Sequence, residues 1–168
     1  KLLSNMNNIF SLKGKKVLIT GGTKGIGLAA ARIFLESDAE VFVVARNEER
    51  IKELISSYKG KGCVIYGVSA DVGTKNGILK IFKKLEKHWK SFDVLVNNAG
   101  FNIRKKSDEY TDKEFDSIIN TNLKSVFNIS VKSLPYLLRS KNPSVINLSS
   151  VAGLTSLKTG SPYAITKA

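Results

Sequence analysis

The segment Thr20-Gly21-Gly22-Thr23-Lys24-Gly25-Ile26-Gly27 constrains the fold of this chain more than any other. The apolar run Val17-Leu18-Ile19 precedes it and the Ala-rich stretch Leu28 to Leu35 follows, so it reads as strand, glycine turn, helix. Glycines let the backbone turn tightly and come close to a pyrophosphate. The N-terminus of the following helix offers unpaired N–H groups and a partial positive charge. A turn of this kind can also join a strand to a helix with no ligand, so its meaning depends on what else the chain carries.

The alternation continues. Strands are predicted at Val17 to Thr20, Glu40 to Ala45, Cys63 to Val68, Phe92 to Val96 and Ser144 to Leu148. Helices are predicted at Ile26 to Glu36, from an Asn47 cap to Tyr58, over Asn76 to Lys90, and onward from the capping-box pattern Thr111-Asp112-Lys113-Glu114. The last of these is assigned a core face of Phe115, Ile118, Ile119, Leu123, Val126 and Phe127, with Pro135 kinking or reorienting it near its end. Such alternation predicts an α/β fold, a Rossmann-type doubly wound parallel sheet with helices on both faces. A ligand then sits beyond the strand C-terminal ends, at the reversal between the first and fourth strands. Residues 12–168 are assigned to this domain and residues 1–11 to an N-terminal extension.

Length and charge narrow the function. The 168 residues suffice for one domain with a real core. The net charge is +13, but basic residues are spread along the chain, with short clusters only at Lys83-Lys84 and Arg104-Lys105-Lys106. That pattern suits a surface favouring small anionic ligands better than a nucleic-acid-binding stripe, so no nucleic-acid partner is expected. No apolar run approaches the roughly 20 residues of a membrane helix. Lys1 to Phe10 lacks the apolar centre of a secretory signal, which makes the cytoplasm the expected location and a membrane partner unexpected. One cysteine, Cys63, and one histidine, His88, rule out an internal disulfide and a cysteine–histidine zinc site, and no metal is expected. Cys63 is assigned to core packing and His88, in a Lys-rich stretch, to the surface.

Three further segments carry chemistry. At the end of the second strand, Val44-Ala45-Arg46-Asn47 lacks the acid that would hold a ribose 2′-hydroxyl; Glu48 and Glu49 fall in the next helix. Arg46 instead offers a cation where a 2′-phosphate would lie, and Lys24 could reach the same phosphate, which favours NADP over NAD. In Asn97-Asn98-Ala99-Gly100, small residues let the backbone pass close to a bound ring, and the amides can tie neighbouring strands. Ser149-Ser150 is followed by Tyr163-Ala164-Ile165-Thr166-Lys167, where tyrosine and lysine four apart share one helical face. An ammonium beside a phenol favours its ionised form, and a tyrosine so tuned can exchange a proton with a carbonyl or alcohol oxygen.

Together these segments resemble the short-chain dehydrogenase/reductase family over about Leu12 to Ala168. Its signatures appear in order at Thr20 to Gly27, Asp71-Val72, Asn97 to Gly100, Asn122, Ser150, Tyr163 and Lys167. The resemblance implies that Tyr163 is the general acid/base, that Ser150 orients the substrate carbonyl, that Lys167 tunes the tyrosine and holds the nicotinamide ribose, and that Asn122 helps hold a water in the proton relay. It implies that Gly21, Thr23, Lys24, Gly25, Ile26 and Gly27 form the pyrophosphate turn. Arg46 and Asn47 would meet the adenosine ribose, Asp71 and Val72 would flank the adenine, and Asn98, Ala99 and Gly100 would line the cofactor. NADP(H), a small-molecule carbonyl or alcohol substrate, and a homodimer or homotetramer joined through the helices opening at Thr111 and near Tyr163 follow from the same resemblance.

Within the family, Ala45-Arg46-Asn47 and Leu148 to Gly153 are most similar to tropinone-reductase-like members. A 3-oxoacyl-thioester or sugar-acid reductase, or a non-catalytic NADPH-binding regulator, remains an alternative. Two departures stand out. Asp38 occupies the end of the first helix, where the family usually has glycine, and Asp tolerates a left-handed backbone. The chain also stops one residue after Lys167, so the C-terminal strands of the family are expected to be missing and the activity of these 168 residues alone to be low. Pocket residues are expected from Phe101 to Lys106 and from Leu154 to Ser161, where Arg104, Lys105, Lys106 and Lys158 suit either an anionic substrate or plain solvation.

Overall fold

Neighbouring residues of the central strands belong to different cores. In β1 (Lys16–Thr20) and β2 (Glu40–Ala45), Val17, Ile19, Val41 and Val43 enter one core, and Leu18, Phe42 and Val44 enter the other. A strand turns alternate side chains to opposite faces, so a near-continuous apolar run means a sheet covered on both sides. Each fully buried side chain of this size contributes about 1.5–3 kcal/mol. The computed structural model describes residues 11–155 and 158–168; the first ten residues of the expected extension lie outside the described residues.

The first core is closed by α1 (Gly25–Glu36) through Ala31 and Leu35, and by α2 (Glu48–Ser57) through Ile51 and Leu54. The second is closed by α3 (Lys75–Leu85) through Ile78, Ile81, Phe82 and Leu85. With β3 (Ile65–Ser69), β4 (Val94–Asn97) and β5 (Ser144–Asn147) the sheet has the order β3-β2-β1-β4-β5, and every pairing is parallel. The expected doubly wound Rossmann-type sheet is therefore present, with its reversal at β1 and β4. The remaining elements are α4 (Asp112–Ile119), a π-helical turn at Asn120–Lys124, α5 (Ser125–Leu137), α6 (Ser161–Ile165) and two short 3-10 turns at Ser107–Glu109 and Val151–Gly153.

Local sequence sets the boundaries. Asn47 caps α2 by accepting the Arg50 N–H at 2.8 Å, Thr74 caps α3 through the Gly77 N–H at 2.9 Å, and Thr111 and Glu114 form the predicted reciprocal box. Asp38 has φ of 68°, the left-handed conformation its position requires. The third strand starts later than predicted, because left-handed turns at Gly60 and Gly62 deliver the chain to the sheet only at Ile65. Cys63 sits half-buried before it, against the first core. His88 is exposed, as expected, with its ring stacked on Tyr66 at 3.9 Å.

The long helix departs furthest from expectation. Its interruption lies at the π turn, whereas Pro135 sits inside the last turn of α5. Its buried face is Ile118, Asn122, Ser125, Ile129, Ser133 and Leu137, while Phe115, Leu123 and Phe127 point outward, Phe127 at 69% exposure. The helix carries two apolar stripes, and the smaller, more polar one lets it lie close to the sheet. β5 pairs in register with β4 from Val94↔Ser144 to Asn97↔Asn147, yet all four of its residues are exposed.

Candidate active site

The glycine turn is built by close approach. Gly21 has φ of 70°, and Gly27, buried in the first turn of α1, packs against the Gly21 carbonyl. The turn is stitched to β4. The Asn98 side chain donates to the carbonyls of Thr20 at 3.0 Å and Gly21 at 3.2 Å, and Thr20 Oγ1 accepts from the N–H groups of Asn98 at 3.0 Å and Ala99 at 3.1 Å. Asn97 Nδ2 continues the ties outward to Asn147 Oδ1 at 2.9 Å and Ser130 Oγ at 3.1 Å. The amides of this motif thus bind neighbouring strands, one of the two uses read from the sequence. α1 follows Lys24, which makes no side-chain cap bond, and has no acid in its first turn, so its leading N–H groups stay open to an anion.

Over this floor lies a cleft of about 340 Å³. Of the predicted cofactor residues, Gly21, Thr23, Lys24, Arg46, Asn47, Asp71, Val72, Ala99 and Gly100 form its walls. Gly27 and Asn98 lie behind them as supports, and Gly25 and Ile26 are exposed at the start of α1. Asp71 Oδ1 accepts the Gly73 N–H at 2.8 Å, which sets the bend after β3. Phe101, the first residue of the stretch expected to line the pocket, also lines the cleft, as do Arg50 and Thr121, which were not singled out in the sequence. The Asn47 cap was a usable signal for Arg50, since a cap places the third residue after it in the first helical turn. Thr121 carried no local signal.

A second cluster adjoins the Gly100 end. Asn122, 2% exposed in the π turn, accepts the Phe101 N–H at 3.0 Å and donates to the Phe101 carbonyl at 2.8 Å and Thr166 Oγ1 at 3.3 Å. Extra-residue turns inside helices are frequent at functional sites, and this one turns a buried amide toward the loop after β4. Lys167 Nζ donates to the Leu148 carbonyl at 2.6 Å and lies 5.9 Å from the centre of the Tyr163 ring. A Cβ added at Gly100 would meet the same ammonium at 3.7 Å. Burial pushes the Lys167 ammonium below its ordinary pKa. Ser149 Oγ donates to the Lys167 carbonyl at 2.7 Å, and Ser150 Oγ accepts the Ala152 N–H at 3.2 Å in the turn beside α6. The structure therefore brings Tyr163, Lys167, Gly100 and Asn122 into one neighbourhood, with Ser150 on the adjoining turn.

The basic stretch beyond Phe101 is partly spent. Lys105 grips both oxygens of Glu114, at 2.7 and 2.9 Å, and with Thr111 holds the Glu114 carboxyl down to about 2. Lys105 is therefore not a free cation for a substrate, while Arg104 and Lys106 are exposed. Of the predicted stretch Leu154 to Ser161, residues 156 and 157 lie outside the described residues. Among the described residues no group of three or more His, Cys, Asp or Glu could hold a metal ion, and no helix is long and apolar enough to cross a membrane.

A family model described as short chain dehydrogenase matches residues 15–168. A tropinone reductase homolog of Arabidopsis thaliana is 36% identical over 159 residues, covering 94% of this chain and 60% of that protein. The 3-oxoacyl-[acyl-carrier-protein] reductase of Chlamydia pneumoniae is 34% identical, with 94% and 64% covered. The crystal structure of a gluconate 5-dehydrogenase from Burkholderia cenocepacia, in complex with NADP and tartrate, superposes with a TM-score of 0.87 at 30% identity, over 96% of this chain and 64% of that one. The chain thus spans less than two thirds of the length of these relatives.

Proposed function

The chain belongs to the short-chain dehydrogenase family, and we propose that its protein is an NADP(H)-dependent oxidoreductase that moves a hydride between nicotinamide and a ketone or secondary alcohol. The observation that carries this reading is the place of the Lys167 ammonium, between the Tyr163 ring and Gly100 in the cleft wall. That position supports a link between the proposed proton-transfer pair and the crevice over the glycine turn. The residues present fit a dinucleotide: open helical N–H groups for the pyrophosphate, small Ala99 and Gly100 for close approach, and Lys24 and Arg46 for a 2′-phosphate.

The bound cofactor supplies the hydride. In the reductive direction the Tyr163 hydroxyl gives its proton to the carbonyl oxygen, leaving an alcohol, and the phenolate is reprotonated from solvent. Ser150 donates a hydrogen bond to that oxygen as charge grows on it. Lys167 holds the ribose, and Asn122 fixes the Phe101 loop and α6 at one separation. Ala45-Arg46-Asn47 and the Arabidopsis relative favour the tropinone-reductase-like branch. We assign a homodimer or homotetramer to the outward stripe of α4 and α5, where Phe127, Val131, Leu134 and Leu138 are exposed.

The test is NADPH oxidation across a panel of ketones. Tyr163→Phe is expected to lower turnover by about 10²–10³-fold while NADPH binding, read by fluorescence, changes little. An unaffected rate removes Tyr163 from the mechanism. NADPH binding without oxidation of any ketone supports the regulator instead.

A further inference from the structure

Three cations stand in the wall of the cleft, Arg46 and Arg50 where β2 and α2 meet and Lys24 in the glycine turn, and Asp71 alone brings a carboxylate to that wall. The Asp71 carboxylate is turned to the backbone N–H of Gly73. Arg50 owes its place to the cap: Asn47 accepts its N–H, so the residue stands in the first turn of α2 with its backbone satisfied and its side chain exposed. The acids beside it do not neutralise it. Glu48 pairs with Lys52 at 3.0 Å, one turn on, and Arg50 forms no salt bridge among the described residues. Arg46 is likewise without a salt bridge among them.

Two guanidinium groups in one rim differ from two ammoniums. Each presents a planar fork of donors that matches a pair of phosphate oxygens, and a terminal phosphate monoester has three oxygens and nearly two charges to share. We infer that Arg50 is a specificity-determining residue, whose guanidinium joins Arg46 on the monoester phosphate of an adenosine 2′-phosphate group. The inference rests on the NADP(H) reading above and adds to it a residue that distinguishes the phosphorylated from the plain ribose. Its role is recognition at the adenosine end, remote from the proton-transfer pair.

Calorimetric titration with 2′,5′-ADP and 5′-AMP separates the two ideas, because the probes differ only in that phosphate. Wild type should bind 2′,5′-ADP more tightly. Arg50→Gln should weaken 2′,5′-ADP by about five- to tenfold and leave 5′-AMP within about twofold. Arg50→Lys should recover only part of the loss, since it restores charge without the fork. The position is solvent-exposed, so thermal melts of the variants should overlay the wild type. Wild-type preference that survives intact in Arg50→Gln overturns the assignment of Arg50 and leaves the NADP(H) reading standing. Equal loss for both probes also overturns it, because the residue then serves the nucleoside or the helix. Equal wild-type affinity for the two probes removes the 2′-phosphate reading and this inference with it.

Discussion

Gly27→Ala sets two physical effects against each other with opposite signs. In a helix interior, alanine is favoured over glycine by about 0.8–1 kcal/mol, so propensity alone predicts a more stable protein. Crowding predicts the reverse. A Cβ at position 27 would fall on the Gly21 carbonyl oxygen and the Asn98 amide nitrogen, and 2.9 Å from the Gly21 carbonyl carbon. Carbon atoms at rest sit about 3.5–4.0 Å apart, so α1 and the turn must separate by roughly 0.6–1.1 Å. The blocking atoms are mostly backbone, and Asn98 is committed to the Thr20 and Gly21 carbonyls, so the separation must come from the turn itself. Overpacking of this kind costs about 1–3 kcal/mol, and loss of the Asn98–Gly21 hydrogen bond adds about 1. Set against propensity, the net is a loss of about 1–3 kcal/mol. For a domain of this size that is a fall of very roughly 3–10 °C in melting temperature. Urea titration and a thermal melt, followed by circular dichroism, measure it. The same variant should also lose nucleotide affinity, because the turn that moves is the cleft floor. A midpoint equal to or above wild type would refute the close-approach account of the turn.

Two other perturbations test different parts of the molecule. The Asp93 carboxylate, just before β4, ties the start of β1 to the turn after α5 by accepting from Lys16 N at 2.9 Å, Ser140 Oγ at 2.6 Å and Lys15 Nζ at 3.4 Å. Partial burial opposes its ionisation, but these donors outweigh it and hold its pKa below the ordinary value. Its stabilisation is therefore complete above the unfolded pKa, about 4, and is lost as pH falls through the lower folded pKa. Asp93→Asn should cost about 1–2 kcal/mol at pH 7 by urea titration, with the gap to wild type narrowing as pH falls below about 4; a gap that does not narrow with falling pH contradicts this. The assembly proposed for the outer stripe is tested by Phe127→Lys with Leu134→Lys. These should shift sedimentation toward monomer without lowering the melting temperature of the domain, and an unchanged oligomer would move the interface elsewhere.

The parts of the fold that were legible in the sequence are those set by neighbours in the chain. The strand, turn and helix around Gly21 to Gly27, the caps at Asn47 and Thr111, and the left-handed Asp38 all follow from a few adjacent residues. The α4–α5 segment was legible as helix but not in orientation. Apolar spacing shows that a helix has a stripe; it does not say which of two stripes meets the sheet when Asn122, Ser125 and Ser133 take the inner one. Arg50 was missed because membership of the cleft depends on how α2 leaves β2, a tertiary fact with only a cap to announce it. For Asn122 the resemblance supplied a role, while its grip on both backbone groups of Phe101 appears only when the π turn swings it inward.

That grip divides what can vary from what cannot. Because the loop after β4 is pinned at Phe101, whatever follows leaves from a fixed point in space. Side chains further along can be exchanged or recharged without disturbing the distance between α6 and the glycine turn. Such a partition sets a fixed frame apart from a replaceable mouth, and here a single carboxamide draws the line.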